Sequence, residues 1–223
     1  MVFLWIALPL FGAAETRART WVVEPGGAGD APTIQAAIDS AEAGDDILLS
    51  PGTYTGAGNR DIEFRGKAVT VHSSAGADFT TIDCGGSGRG FLFVDNEGPS
   101  SVLSGVRIVN GFHLLYGGGV YCVNASPTID GNVFSGNHAG FRGGAVYCDT
   151  SAAVVTGNTF ETNDASYGGG LACSGFSSLT ITGNDFDHNE ASISGGAFSC
   201  RASSPSIDGN RFAQNTATND GGA

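Results

Sequence analysis

Residues 142–166 read RGGAVYCDTSAAVVTGNTFETNDAS and residues 167–194 read YGGGLACSGFSSLTITGNDFDHNEASIS, the same unit twice. Outward from this pair, a double glycine with an apolar-x-Cys tail recurs as YGGGVYC (116–122), RGGAVYC (142–148), YGGGLAC (167–173) and SGGAFSC (194–200), then DGGA (220–223). Its first glycines stand at 117, 143, 168, 195 and 221, so the spacings are 26, 25, 27 and 26. A second block keeps step: IDGNVFSGN (129–137), VTGNTFETN (155–163), ITGNDFDHN (181–189) and IDGNRFAQN (207–215). Each is followed by an alanine two residues on, and LSGVRIVNG (103–111) is a degenerate earlier copy. Repetition at a fixed period decides the architecture before any local propensity does.

Within the unit, short alternating segments such as Val120-Tyr121-Cys122 are separated by clusters of Gly, Asn, Asp and Ser. That is the pattern of short strands bounded by turns. No segment of the repeat carries an extended apolar pattern at helical spacing, so helical and leucine-rich solenoids fit poorly. Propeller blades need about 40 residues or more. A unit of 25–27 residues with two or three short strands is one coil of a parallel β-helix.

Coils stacked at about 4.8 Å turn every repeated residue into a column along the axis. Alternation puts Val120, Val146, Leu171 and Phe198 on the same side as Cys122, Cys148, Cys173 and Cys200, and both columns are expected inside. Phe134, Phe160, Phe186 and Phe212 form an aromatic ladder for the same core. Asn137, Asn163, Asn189 and Asn215 suit a turn, where Asn tolerates left-handed backbone and its amide can bond along the stack. A cysteine column could hold metal, yet Cys is also a small, commonly buried apolar residue, and packing is the reading adopted. The Asn and Phe columns are read as structural in preference to sugar-binding. His138 and His188 flank the Asn column at different offsets and read as solvated loop residues.

The first half carries one helix pattern, TIQAAIDSAEA over 33–43, with Ile34, Ala37, Ile38 and Ala41 on one face. Thr33 caps its start and Gly44 follows its end. An open β-helix end is a sheet edge over an apolar core, and this helix is its natural cover. The organisation expected is a signal peptide at 1–14, a cap over 15–44, irregular first coils over 45–111 and regular coils over 112–223. The final DGGA stops where another Cys-bearing strand would begin, which reads as a fragment or as an end that docks onto something.

These residues carry a resemblance. PTIQAAIDSAEAGDDILLSPGTYTG (32–56) resembles the opening of right-handed parallel β-helix proteins of the pectin-lyase-like superfamily. The FxxN pairs Phe134/Asn137, Phe160/Asn163, Phe186/Asn189 and Phe212/Asn215, with Gly143-Gly144-Ala145-Val146, resemble repeats of the chlamydial polymorphic membrane proteins. The resemblance implies an all-β, right-handed parallel β-helix with an N-terminal capping helix over about residues 21–223. It implies little about activity, because lyases, esterases and non-catalytic surface proteins share this opening.

Composition agrees with a turn-rich solenoid: 36 of 223 residues are glycine, and only 14% are charged. The net charge of −12, with nine Arg and one Lys that nowhere cluster, speaks against nucleic acid as a partner. VFLWIALPLFGAA (2–14) is too short to span a bilayer and matches the apolar core of a secretory signal, although no basic residue precedes it. Export follows as the expectation, to a secreted, cell-surface or outer-membrane-associated location. Five cysteines at 84, 122, 148, 173 and 200 leave at least one unpaired within the chain, and none has zinc-ligand spacing.

An enzyme on this scaffold needs acids, bases or metal ligands converging on one groove. The motifs that the resemblance would bring (an NTD with an Asp pair and GHG for polygalacturonases, the Gln and two Asp of pectin methylesterases) are absent. Arg107, with Asp83 and Asp95 as prospective neighbours, is the one candidate for lyase-type chemistry, and no catalytic set is assigned. Asp45-Asp46 belongs to the turn after the helix. Acidic turn residues Asp130, Asp185, Asp187, Asp208 and Glu190 offer at most weak surface calcium binding, and no cofactor is expected. The reading is an exported, non-enzymatic adhesin- or passenger-type scaffold for a glycan or protein at the cell surface. The alternative is a polysaccharide lyase or hydrolase whose catalytic coils are degenerate or missing.

Overall fold

The computed structural model describes residues 17–222. The signal-peptide segment therefore lies outside the described residues. The chain winds as a parallel β-solenoid with four sheets, here A to D, of eight, seven, six and five strands. Sheet A runs from Thr20–Val23 and Asp46–Leu49 through to Ser206–Asp208. One regular coil passes through Val120–Val123 in sheet C, Thr128–Asp130 in A, Val133–Ser135 in B and His138–Arg142 in D. Each regular coil thus has four strands, where two or three were expected. The extra corner comes from the Gly131-Asn132 pair, whose glycine sits at φ 62° and turns the chain between two three-residue strands. Sheet D starts at Phe112–His113, so the earlier coils lack this fourth side.

Register in sheet C is one-to-one between coils, with Tyr121 beside Tyr147 and Cys122 beside Cys148, then Cys148 beside Cys173 and Cys173 beside Cys200, whereas sheet D shifts register on both sides of Asp164–Tyr167. The inward residues fill the axis. Ile47, Val71, Leu103, Ile129, Val155 and Ile181 form the sheet A column. In sheet B, Phe134, Phe160, Phe186 and Phe212 stack with centroids 5.1, 4.5 and 5.1 Å apart and planes within 13° of parallel. Cys122, Cys148 and Cys173 are fully buried, as are Val120, Val146 and Leu171. Cys200 departs from the expectation. It is exposed, and Phe198 is only half-buried, because no strand stacks on Phe198–Cys200 among the described residues.

The asparagines turn out to be buried ladder rungs. Asn163 Nδ2 donates to the Phe134 carbonyl (3.0 Å) and to Asn189 Oδ1 (2.9 Å). Its own Oδ1 accepts from the Asn137 backbone N–H and Nδ2, both at 3.0 Å. The left-handed residue of this corner precedes the asparagine (Gly136, Thr162, His188, Gln214), so the asparagine itself is not the left-handed position that the sequence suggested. Asn132, Asn158, Asn184 and Asn210 make a second ladder of the same design at the preceding corner. Rungs of both ladders are 26 residues apart throughout.

Of the paired glycines, only the first is conformational. Gly143 sits at φ 66°, whereas a Cβ on Gly144 would lie 2.3 Å from the Gly169 carbonyl oxygen of the next coil. The second glycine is therefore there for close approach between coils.

The helix covers the N-terminal end over Ile34–Ser40, with the Thr33 hydroxyl accepting from the Ala36 N–H. It stops short of the expected residue 43, because Ala41 is already extended. A long-range cap takes over there: Lys67 Nζ donates to the Ile38, Asp39 and Ala41 carbonyls at 2.8, 2.8 and 2.9 Å. That places the single lysine of the chain at the negative end of the helix. Asp45 pins the following turn, accepting from the Arg19 and Glu42 N–H groups and the Trp21 indole. Burial alone would raise its pKa, but these donors outweigh burial and hold the carboxyl below its usual value. Among the described residues no helix is long and apolar enough to cross a membrane.

Candidate functional site

The corner between sheets C and D carries a contiguous aromatic surface. On the outward face of sheet C, Tyr121 and Tyr147 stack at 6.0 Å and 12°. Tyr116, at the end of the preceding coil's D side, lies on Tyr147 at 4.6 Å. Phe141 and Tyr167 extend the cluster edge to face at 5.5 Å. Two arginines are built into it. Arg89 lies over Tyr121 (4.6 Å to the ring centre) and its Nε donates to the Tyr116 and Gly117 carbonyls. Arg142 lies over both Phe141 and Tyr167, at 4.9 and 4.8 Å, with 7% of its surface exposed. Cation–π contact of this kind is strongest where water is excluded.

Orientation decides what this surface offers. The stacked rings of Tyr116, Tyr121 and Tyr147 spend their faces on one another and on Arg89, and Tyr147 is itself only 4% exposed. The Tyr147 hydroxyl donates to Asp149 Oδ2 (2.9 Å) and meets Ser174 Oγ at 2.6 Å. Burial, eased by Ser174 and reinforced by Asp149, pushes its pKa up to about 12. Beside the rings stand Leu114 and Leu115, 72% and 52% exposed. Their turn is held by His113, whose Nδ1 accepts from the Leu115 and Tyr116 N–H groups, both at 3.1 Å. Two adjacent leucines this exposed form an apolar patch, and the tyrosines and arginines beside them are the residue types in which protein-binding hot spots are enriched.

A polar column borders the patch on sheet D. Phe112 stacks on His138 at 5.3 Å, His138 Nδ1 meets Asp164 Oδ2 at 2.6 Å, and Glu190 is the next residue in register. His138, Asp164 and Glu190 line a shallow depression of about 270 Å³ with Gly140, Ser166 and Ser192. His138 is thus a strand residue paired to a carboxylate, not the free loop residue that its spacing suggested. A separate hollow of about 410 Å³ at the N-terminal end is walled by Arg19, stacked 3.6 Å over Trp21, and by Asp45, whose oxygens are already engaged.

Other expected positions fall elsewhere. Arg107 pairs with Glu161 at 2.9 Å and Asp78 at 3.8 Å, and so does not use Asp83 or Asp95. Asp83 instead accepts from the Gly85 N–H and from Asn110. The acidic residues read as turns lie in strands: Asp130 and Asp208 in sheet A, Asp185 and Asp187 in B, Glu190 in D. Asp185 pairs with Arg211 and Asp187 with His188. Among the described residues no group of three or more His, Cys, Asp or Glu is placed to hold a metal. The Phe, Asn and Cys columns occupy the core and its corners as far as the last coil, where Cys200 and Phe212 are exposed and Asn215 is half-buried. Sequence reasoning missed the patch and its polar border. The signal available was position: the residue after each rung of the ladder through Asn137 faces outward.

The fold defines a parallel β-solenoid. Residues 45–222 match the family described as the right handed beta helix region, and the chain belongs to that family. Comparison with curated proteins and with solved structures gave no match.

Proposed function

We propose that the chain is an exported, non-enzymatic binding scaffold that engages a cell-surface protein through the corner between sheets C and D. The observation that carries this reading is the exposed pair Leu114 and Leu115 beside a Tyr/Phe/Arg cluster, with the Leu115 carbonyl accepting from the Phe141 and Arg142 N–H groups. Hot spots of protein interfaces combine such anchors with a polar rim. The rim here is His138, Asp164 and Glu190, and the whole chain carries a net charge of −12. The partner surface that complements it presents an apolar ridge flanked by Lys or Arg. A protein fits better than a glycan, because the aromatic faces that would stack on a sugar ring are already covered by neighbouring rings and Arg89.

Fluorescently labelled protein should bind intact cells saturably, and treating those cells with protease should abolish the signal. Replacing Leu114 and Leu115 by Ser should weaken binding at least about tenfold, the loss of one modest hot spot. Binding that survives protease but not glycosidase would transfer the reading to a glycan. Release of oligosaccharide from a polysaccharide by the pure chain would replace it with the enzyme.

A further inference from the structure

The arginines of the chain are paired in an inverted order. Arg19, Arg65, Arg107 and Arg211, each partly or largely in solvent, pair with Asp or Glu. Arg142, with only 7% of its surface exposed, forms no ion pair and no side-chain hydrogen bond among the described residues. A guanidinium carries five N–H donors in a planar fork and stays charged. The rings of Phe141 and Tyr167 lie over it at 4.9 and 4.8 Å and keep water off, yet they leave those donors without an oxygen. A charge taken out of water is costly unless a counter-ion meets it. Two carboxylates that border the patch are engaged elsewhere, Asp164 with His138 and Asp149 with Tyr147, Ser174 and Thr150. Glu190 stands a further coil on, in register with Asp164.

The fork is continuous with the leucine turn. The Leu115 carbonyl accepts from the Phe141 and Arg142 N–H groups at 3.0 and 2.9 Å, and Tyr116 bridges to Arg142 in parallel register. We propose that Arg142 is a receptor for a carboxylate of the partner protein. An Asp or Glu on the partner's apolar ridge sets its two oxygens on the guanidinium fork, while the apolar side chains beside it cover Leu114 and Leu115. A planar carboxylate matches the fork, with two parallel N–H···O bonds. A phosphate or sulfate would bring a larger negative charge to a chain that already carries −12. This inference rests on the protein-binding reading and deepens it: the acid lies within the ridge, and the ridge's Lys or Arg flank meets His138, Asp164 and Glu190. The free chain holds the unpaired charge, and the partner neutralises it on docking, which ties recognition to one chemical group.

The Arg142 Nε–H resonance, identified by its loss in Arg142→Lys, should shift saturably when the pure chain is titrated with acetyl-Leu-Asp-amide. It should stay in place with acetyl-Leu-Asn-amide. A stronger response to sulfate or phosphate would replace the partner's carboxylate by a free oxyanion, and no response to any of them would overturn the receptor. Arg142→Met, uncharged and of similar reach, should unfold at a urea concentration at least as high as the wild type's, because it removes an unpaired buried charge. A clearly lower midpoint would make Arg142 a structural residue instead. In the cell-binding test, Arg142→Lys keeps the charge and loses the fork, and should weaken binding about tenfold. If Arg142→Lys and Arg142→Met bind cells like the wild type while the Leu114 and Leu115 changes abolish binding, the carboxylate is overturned and the surface stands. If neither set of changes matters, the surface reading itself falls.

Discussion

The Asn163 side chain makes four hydrogen bonds in a space closed to water. Truncating it to Ala would leave the Asn137 N–H without its acceptor and take one donor each from the Phe134 carbonyl and from Asn189 Oδ1, which keeps the backbone N–H of residue 163, at a cost of about 3 kcal/mol for stranding buried polar groups. Asn215→Ala, on a rung that is only half-buried, should cost about 1 to 2 kcal/mol. Urea denaturation of the two variants checks the ratio, and equal midpoints would show that the ladder is not cooperative. Asn163→Asp should not rescue, because it sets a carboxylate oxygen where an N–H pointed at two acceptors. The sequence displayed this column openly, since one residue type recurs in it. It hid the neighbouring outward column, because Phe112, His138, Asp164 and Glu190 occupy equivalent places with four different chemistries. Periodicity reveals sameness, and binding surfaces are built from differences.

At the scale of elements, the turn over His113 to Tyr116 presents the two leucines and depends on a neutral imidazole. Burial, then the nearby Arg89 charge, lower the His113 pKa, while Asp61 acts weakly in the other direction. A base whose folded pKa is depressed stabilises the fold above its unfolded value of about 6.5 and loses that contribution as pH falls through the folded pKa. Protonation puts a hydrogen on Nδ1, where two N–H groups now donate. Amide exchange at Leu115 and Tyr116, corrected for intrinsic rates, should therefore accelerate between pH 7 and pH 5, and cell binding should weaken in parallel. An imidazole titrating at or above 6.5 by NMR would refute this. The helix teaches a related lesson. Ala41, Glu42 and Ala43 continue a plausible helical pattern, but Lys67 captures the carbonyls from 26 residues beyond Ala41, and no local reading contains that. The fourth strand of each regular coil was hidden for a similar reason: a Gly-Asn corner between two three-residue strands looks like one turn.

For the whole molecule, the uneven glycine spacings acquire an explanation. The D-side strand Asp164–Tyr167 has four residues where its neighbours have five, and the same coil carries an additional residue at the corner beside Phe176, which is 88% exposed. The deletion and the insertion cancel before the next rung, so the asparagines never leave their 26-residue step. The ladders act as a phase lock: the chain keeps time at two corners of each coil and is free to vary length between them. Removing residues 133–158, one full period, should join Asn132 to the strand at Thr159–Glu161 and leave a shorter solenoid with a sigmoidal melt and unchanged circular dichroism per residue. Removing 133–157 instead should slip every later rung by one and give a chain that does not melt cooperatively. Length in this protein is thus quantised, and a lineage or a designer can change its reach only in whole turns, while the rim between the locked corners remains open to new binding surfaces at no cost in phase.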